Sequence, residues 1–293
     1  MTTYTPDTLH RFIFENIPAR GLIVQLNDCW KALQSRKDYP AVVQQQLGEF
    51  IAANALLAAS LKLNGSMTMQ IQSDGPINLM VMECNSEKQI RGLAKYHEDV
   101  SGDNLSELFG DGQLVITIDN AKSNERYQGI VELKGEKISH ALENYLKQSE
   151  QLETFLFLAA NENNACGILI QKMPGELFED TDDWIRINQL AETLKTEELF
   201  HLSAHEIIHR LYHEDDVRVF DADHYQFQCS CSRERVSNML LSLGHQEIDS
   251  IIAEQGSIEI DCEFCNQHYA FDKIDAQELF ATDIHHPSSS TRH

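Results

Sequence analysis

Apolar residues recur along this chain with two periods, and the switches between them mark out the elements. Phe12-Ile13-Phe14 and the run Gly21 to Leu26, on either side of the Ile17-Pro18 break, predict two strands. Asp28 can cap a short helix behind them. Pro40 then opens a longer helix in which Val43, Leu47, Phe50, Asn54 and Leu57 fall at steps of three and four, and Asn64-Gly65 offers its stop. From Ser66 the period becomes two. Met67, Met69 and Ile71 alternate with polar residues, Asp74-Gly75-Pro76 turns the chain, and Ile77 to Met82 pairs back. Further strands are predicted over Ile90 to Tyr96, Gln113 to Ile118 and Arg126 to Leu133, then a helix over Lys137 to Gln148, then strands over Glu153 to Ala159 and Ala165 to Met173. Sequential strands joined by short turns predict a mainly antiparallel α+β domain over residues 1–175.

The pattern changes after Pro174-Gly175. Between Glu176 and Asp223 there are fourteen acidic residues against four basic ones, yet Ile187, Leu190 and Leu194, and later Ile208, Leu211 and Tyr212, keep helical spacing. Residues 176–225 therefore read as an acidic linker of short amphipathic helices laid on a partner surface. Like charges repel along it, so its fold should depend on docking and open at low cost. Residues 226–281 form a small C-terminal module. Ser232 caps a helix over Arg233 to Leu243, Gly244 ends it, Gly256 ends a second helix over Glu247 to Glu254, and Ile258-Glu-Ile260 with Tyr269-Ala-Phe271 make a hairpin. The polar residues 282–293 are expected to be a disordered tail.

Composition narrows the function classes. In 293 residues, 42% hydrophobic and 24% charged positions are globular values, and the length suits one large domain with a small one. Acidic residues outnumber basic ones 46 to 23, a net charge of -23 that repels phosphate backbones and anionic membranes. Neither nucleic acid nor membrane is expected as a partner. The N-terminus lacks the basic start and apolar core of a signal peptide, so the expected compartment is the cytoplasm, where thiols stay reduced or bind metal.

Residues 1–175 hold no G-x-S-x-G, phosphate loop or dinucleotide fingerprint, and no catalytic residue is assigned; the protein is not expected to be an enzyme. Cys29, Cys84 and Cys166 stand apart from any base and read as small core hydrophobes. His205-Glu206-Ile207-Ile208-His209 satisfies H-E-x-x-H, but Ser203 and Glu206 stand at capping-box spacing, and His201, His205, His209 and His213 read as a polar helix face.

The other four cysteines carry the chemistry. Cys229 and Cys231 form a C-x-C, answered about thirty residues later by Cys262 and Cys265 as a C-x-x-C. Two tight loops that each present two sulfurs suit a tetrahedral site, and one Zn2+ per chain in the reduced state is the expected cofactor. Unrelated surface thiols, a C-x-x-C thiol-disulfide oxidoreductase and a purely structural zinc module are the alternatives.

Cys229-Ser-Cys231-Ser-Arg-Glu-Arg235, Leu243-Gly244, Gly256-Ser-Ile-Glu-Ile260, Cys262-Glu-Phe-Cys265 and Tyr269-Ala-Phe-Asp272 closely resemble the heat shock protein 33 family of redox-regulated holdase chaperones. Leu211 to Phe220, Asp74-Gly75-Pro76 and Arg91-Gly92 also look like that family, and the length fits. The resemblance implies a substrate-binding domain, a helical linker and a zinc-bound redox switch that act on unfolding client proteins without ATP. In such a switch an oxidant would join sequence neighbours, Cys229 with Cys231 and Cys262 with Cys265, expel the zinc and unfold switch and linker, and the oxidised form is a candidate homodimer.

Overall fold

Alternating and helical periods resolve into two six-stranded sheets that share one enclosed helix. The chain runs through β1 (Thr8–Phe14), β2 (Ala19–Leu26), α1 (Asp28–Gln34), α2 (Ala41–Ser60), β3 (Gly65–Gln72), β4 (Leu79–Asn85), β5 (Gln89–Lys95) and α3 (Leu105–Phe109). It continues through β6 (Gln113–Asn120), β7 (Arg126–Glu132), α4 (Ile138–Ser149), β8 (Thr154–Ala160) and β9 (Ala165–Lys172). The acidic segment supplies α5 (Thr181–Glu192), α6 (Thr196–His201), α7 (Ala204–Tyr212), β10 (Val217–Val219) and β11 (Asp223–His224), and β12 (Gln226–Phe227) follows it directly. The computed structural model describes residues 7–61, 63–123, 125–173 and 181–283, which divide into two units at the Gln228–Cys229 bond.

In the first unit one sheet has the order β10-β1-β2-β9-β8, with β11 also on β1, and the other the order β12-β5-β4-β3-β6-β7. Every pairing is antiparallel except β12 with β5. The unit is thus the mainly antiparallel α+β fold that the alternation predicts. α2 is apolar on nearly all sides, as a helix is where it is enclosed: it packs on β2, β8 and β9 of one sheet and on β3, β4 and β5 of the other. A Cβ at Gly48 would lie 2.4 Å from the Ala160 Cβ, so glycine there lets the helix approach the end of β8.

Two local expectations are corrected. Asp28 does not cap α1; the N-cap is Asn27, and Asp7 accepts from the Asn27 N–H (2.9 Å) and the Cys29 N–H (3.1 Å), a cap brought in from another part of the chain. Nor does α2 run to Asn64-Gly65. It ends at Ser60, whose carbonyl accepts from Arg20 Nη2 (3.2 Å), so β2 lends a positive charge to a helix end that has none of its own. Gly65 instead starts β3 at φ 139°. The five-residue α3, closed by Gly110 at φ 52°, was not predicted.

The acidic segment is built into the first sheet. Ile187, Leu199, Ile207, Leu211 and Tyr212 pack with Phe12, Phe14, Ile23, Ile168 and Ile170 in a core distinct from the one around α2. Its few cations act as staples: Arg186 reaches Asp215 with two bonds (3.0 and 2.6 Å), Arg210 pairs with Glu198 (2.5 Å), and Arg218 pairs with Glu15 (2.9 Å). The strands β10, β11 and β12 were not predicted, being two or three residues long.

The H-E-x-x-H stretch is a helix start. Ser203 Oγ accepts from the Glu206 N–H (3.3 Å), and Glu206 Oε2 accepts from the Ser203 N–H (2.8 Å), the reciprocal capping box. His201, His205, His209 and His213 lie exposed.

Candidate metal centre

The second unit consists of α8 (Arg233–Leu243), α9 (His245–Gln255), β13 (Ile258–Asp261), β14 (His268–Phe271) and α10 (Lys273–Asp283). The helix α10 was not predicted; it takes in residues 282 and 283, and the rest of the expected tail lies outside the described residues. The core is small: Leu240, Ile248, Ile252, Ile258, Phe271 and Ala276 are its buried side chains. A unit with so little apolar burial needs another source of folding energy.

Each cysteine pair is set by local structure. Ser232 caps α8 by accepting from the Arg235 N–H (3.2 Å), which fixes Cys229-Ser-Cys231 just ahead of the helix. Cys262 and Cys265 lie in the connection between β13 and β14, whose register runs from Ile258↔Phe271 to Asp261↔His268. There the Cys262 carbonyl accepts from the N–H groups of Cys265 (3.2 Å) and Asn266 (2.7 Å), and Asn266 adopts φ 58°, a left-handed turn that asparagine tolerates. Arg233 ties the loops' supports together: it donates to the Ala270 carbonyl (2.9 Å), pairs with Asp275 (2.7 Å) and lies 4.2 Å over the Phe271 ring.

The four sulfurs converge. Cys229 and Cys262 Sγ are 3.6 Å apart, Cys231 and Cys265 Sγ are 3.3 Å apart, and all four lie within 4.8 Å of one another. A tetrahedral metal with bonds of about 2.3 Å would set its sulfurs about 3.8 Å apart, so the cluster fits one ion, and its all-thiol donor set suits a soft one. Among the described residues this is the one group of three or more metal-ligating side chains, and it unites all four cysteines singled out by spacing. It leaves out the histidine stripe.

Burial, and then the hydrogen-bonded thiols around it, push the Cys265 thiol up to about 12; burial also raises Cys262, while the backbone N–H groups of Phe264 and Cys265 pull it the other way. A bound cation would reverse that preference and favour thiolates. Tyr269, which spacing alone did not single out, donates its hydroxyl to Cys231 Sγ (3.2 Å) and so orients one of the four converging thiols. Its signal was present in Tyr269-Ala-Phe-Asp272, but only the folded hairpin shows its role. Cys29, Cys84 and Cys166 are buried and separate from the cluster, and burial raises each thiol, Cys84 and Cys166 to about 12.

The chain is similar to known proteins over nearly all of its length. The model of the Hsp33 protein family matches residues 7–272. A 33 kDa chaperonin of Nitrosococcus oceani is 45% identical over 287 residues, covering 98% of this chain and 99% of that one. One from Methylobacillus flagellatus is 45% identical over 289 residues, with 98% and 99% covered. The crystal structure of a 33 kDa chaperonin from Thermotoga maritima superposes with a TM-score of 0.81 at 21% identity, over 96% of this chain and 100% of that one, so the fold is shared.

Proposed function

The chain belongs to the Hsp33 family of chaperones, and from that premise we propose that it is a redox-regulated holdase, which captures unfolding proteins without ATP when its cysteine cluster is oxidised. The observation that carries this reading is the convergence of four thiols directly after a segment that covers an apolar sheet face. The relatives are named chaperonins, and a holdase turns over no substrate, so the protein is read as a non-enzyme. No helix among the described residues is long and apolar enough to cross a membrane, and the acidic surface disfavours nucleic acid; a cytoplasmic site of action fits the reduced thiols.

Cys229, Cys231, Cys262 and Cys265 would hold one Zn2+ per chain. Bound there, zinc favours the thiolate forms and adds metal-binding energy to the folding of a unit with a small core. One thiolate attacks an oxidant such as hydrogen peroxide or hypochlorous acid, giving a sulfenic acid and releasing hydroxide or chloride, and a second thiolate attacks that sulfur and displaces its oxygen as hydroxide. Formation of each disulfide passes two electrons from a thiolate pair to one oxidant molecule, so two oxidant equivalents consume all four thiols.

The proposed pairs are Cys229 with Cys231 and Cys262 with Cys265. In the folded cluster Cys229 meets Cys262 (3.6 Å) and Cys231 meets Cys265 (3.3 Å) across the loops, so in-motif pairing is favoured once the unit opens and only the short tethers keep thiols near one another. Two residues of extended chain span roughly 6.6–7.2 Å, at or beyond the usual disulfide limit, so the Cys229–Cys231 bond needs a bent backbone and is easily reduced.

Loss of the cluster unfolds the unit that begins one residue after Gln228, which lies three residues past the linker and whose N–H donates to the Ile90 carbonyl (3.1 Å). Undocking of α5 to α7 then bares Phe12, Phe14, Ile23, Ile168 and Ile170 for clients, and two such faces also suit a homodimer of the oxidised form. The test is aggregation of a denatured enzyme without ATP: the peroxide-treated protein suppresses it and binds a hydrophobic dye, and the reduced protein does neither. Equal behaviour of both forms would overturn the reading.

A further inference from the structure

The outer edge of β1 is closed by the linker. Phe220 N–H donates to the Arg11 carbonyl (2.9 Å), Glu15 N–H to the Asp216 carbonyl (2.9 Å), and Tyr225 N–H to the Asp7 carbonyl (2.8 Å). By strand alternation residues 7, 9, 11, 13 and 15 all turn their backbone groups towards that edge, while the even residues serve β2.

The closing strand is imperfect. Phe12, Ile13 and Phe14 pair with Val219, Arg218 and Val217, but Thr8 and Leu9 pair with His224 and Asp223. Between the two registers β1 has only His10 after the Arg11–Phe220 pair, whereas the linker has Asp221 and Ala222, so one linker residue bulges. A continuous extended segment could pair along the whole of β1 without this break. Side chains on both flanks would assist it: Phe12 and Phe14 on one face, Ile13 on the other, with Arg11 facing the acid at Asp223 (2.5 Å) and Glu15 facing the base at Arg218 (2.9 Å).

We propose that clients bind the oxidised protein by strand addition: an extended, unfolded segment of alternating apolar and polar residues replaces β10 and β11 along the outer edge of β1. The stretch Asp216 to Tyr225 is the internal occupant of the same edge, and its departure vacates the site. The proposal rests on the holdase reading above and specifies its client site. Main-chain pairing is tolerant of sequence, which suits capture of many clients, and the flanking aromatic side chains add apolar contact.

The test uses the full-length oxidised protein and a fluorescent ten-residue peptide with the sequence of Asp216 to Tyr225. Two N-methylated versions separate main-chain pairing from side-chain stickiness. Methylation at Arg218 and Phe220 removes N–H groups aimed at β1; methylation at Val217 and Val219 removes N–H groups aimed away from it. The first should lower affinity about tenfold, the loss of two main-chain hydrogen bonds, and the second should leave it within about twofold. Saturating unmodified peptide should also abolish suppression of client aggregation. Equal affinities of the two methylated peptides, no binding of the unmodified one, or suppression that persists under saturating peptide would overturn the β1 site while leaving the holdase reading intact. An oxidised protein that suppresses no aggregation even without peptide would overturn both.

Discussion

At the scale of the residue, the grouping of four cysteines was legible and its supports were not. Residue type and spacing alone pick out Cys229, Cys231, Cys262 and Cys265, because few other roles demand two thiol pairs on tight loops. Asp7 on the α1 start and Tyr269 on Cys231 act on groups distant in sequence, and no local pattern announces them. Replacing Tyr269 by Phe removes the hydroxyl that orients Cys231 and should weaken zinc binding by about 10- to 100-fold in a chelator competition; an unchanged affinity would assign Tyr269 to packing alone. His10 makes a second residue-scale prediction. Its ring lies 5.1 Å from that of His205 at the α7 start, and its Nδ1 is buried without a hydrogen-bond partner. Burial, then the fields of His205 and His224, lower its pKa below the ordinary 6.5, against which only the Phe220 carbonyl works; nearby Arg11 and Lys88 are both committed to Asp223. Undocking restores the ordinary value, so the undocked state binds the proton more readily. The stabilisation of docking is therefore complete above pH 6.5 and declines as pH falls through that value towards the lowered one. Hydrogen exchange at the Phe220 amide, corrected for its intrinsic rate, should speed up as pH drops below about 6.5, and His10→Gln should flatten the change. The same pH dependence in both proteins would contradict this.

At the scale of the element, long periodic segments were legible and short ones were not. The alternation around Met67 to Ile71 and the helical spacing of α2 and α4 each carry their own signal, because burial on one face selects residues at a fixed period. A strand of two or three residues such as β10, β11 or β12 carries none. It exists because β1 or β5 supplies its hydrogen bonds from more than a hundred residues away. The end of α2 was misread for a similar reason: Arg20 on β2, absent from the local sequence, satisfies Ser60, so the helix stops before Asn64-Gly65. Docking of the linker depends on apolar side chains such as Ile207, which is fully buried against the sheet. Ile207→Ala should cost roughly 2–5 kcal/mol, most of it from docking, and let the reduced, zinc-loaded protein capture clients. Limited proteolysis should then cut between residues 196 and 228 without any thiol lost. Wild-type resistance in the variant would mean that the linker is held by something other than this core.

At the scale of the whole molecule, the net charge of -23 and the paired thiols limited the function classes, but the closeness of linker and sheet could not be read from either. The acidic excess of the segment after residue 175 suggested a loosely docked connector. In the structure its three arginines are spent on ion pairs, two within the segment and one to Glu15 beside β1, and its apolar residues share a core with β1, β2 and β9. It is therefore both part of the fold and its most exchangeable part, since its strands are the shortest in both sheets. The central claim is that oxidation of one cluster, and nothing else, converts this fold into a client-binding form. Zinc content and free thiols should be counted on one sample before and after peroxide at mildly raised temperature, and again after a reductant. One zinc should leave together with four of the seven thiols, Cys29, Cys84 and Cys166 should stay reduced because they are buried, and the reductant with added zinc should restore the starting counts. Zinc retained with all seven thiols intact would contradict the switch and leave the cluster a purely structural site.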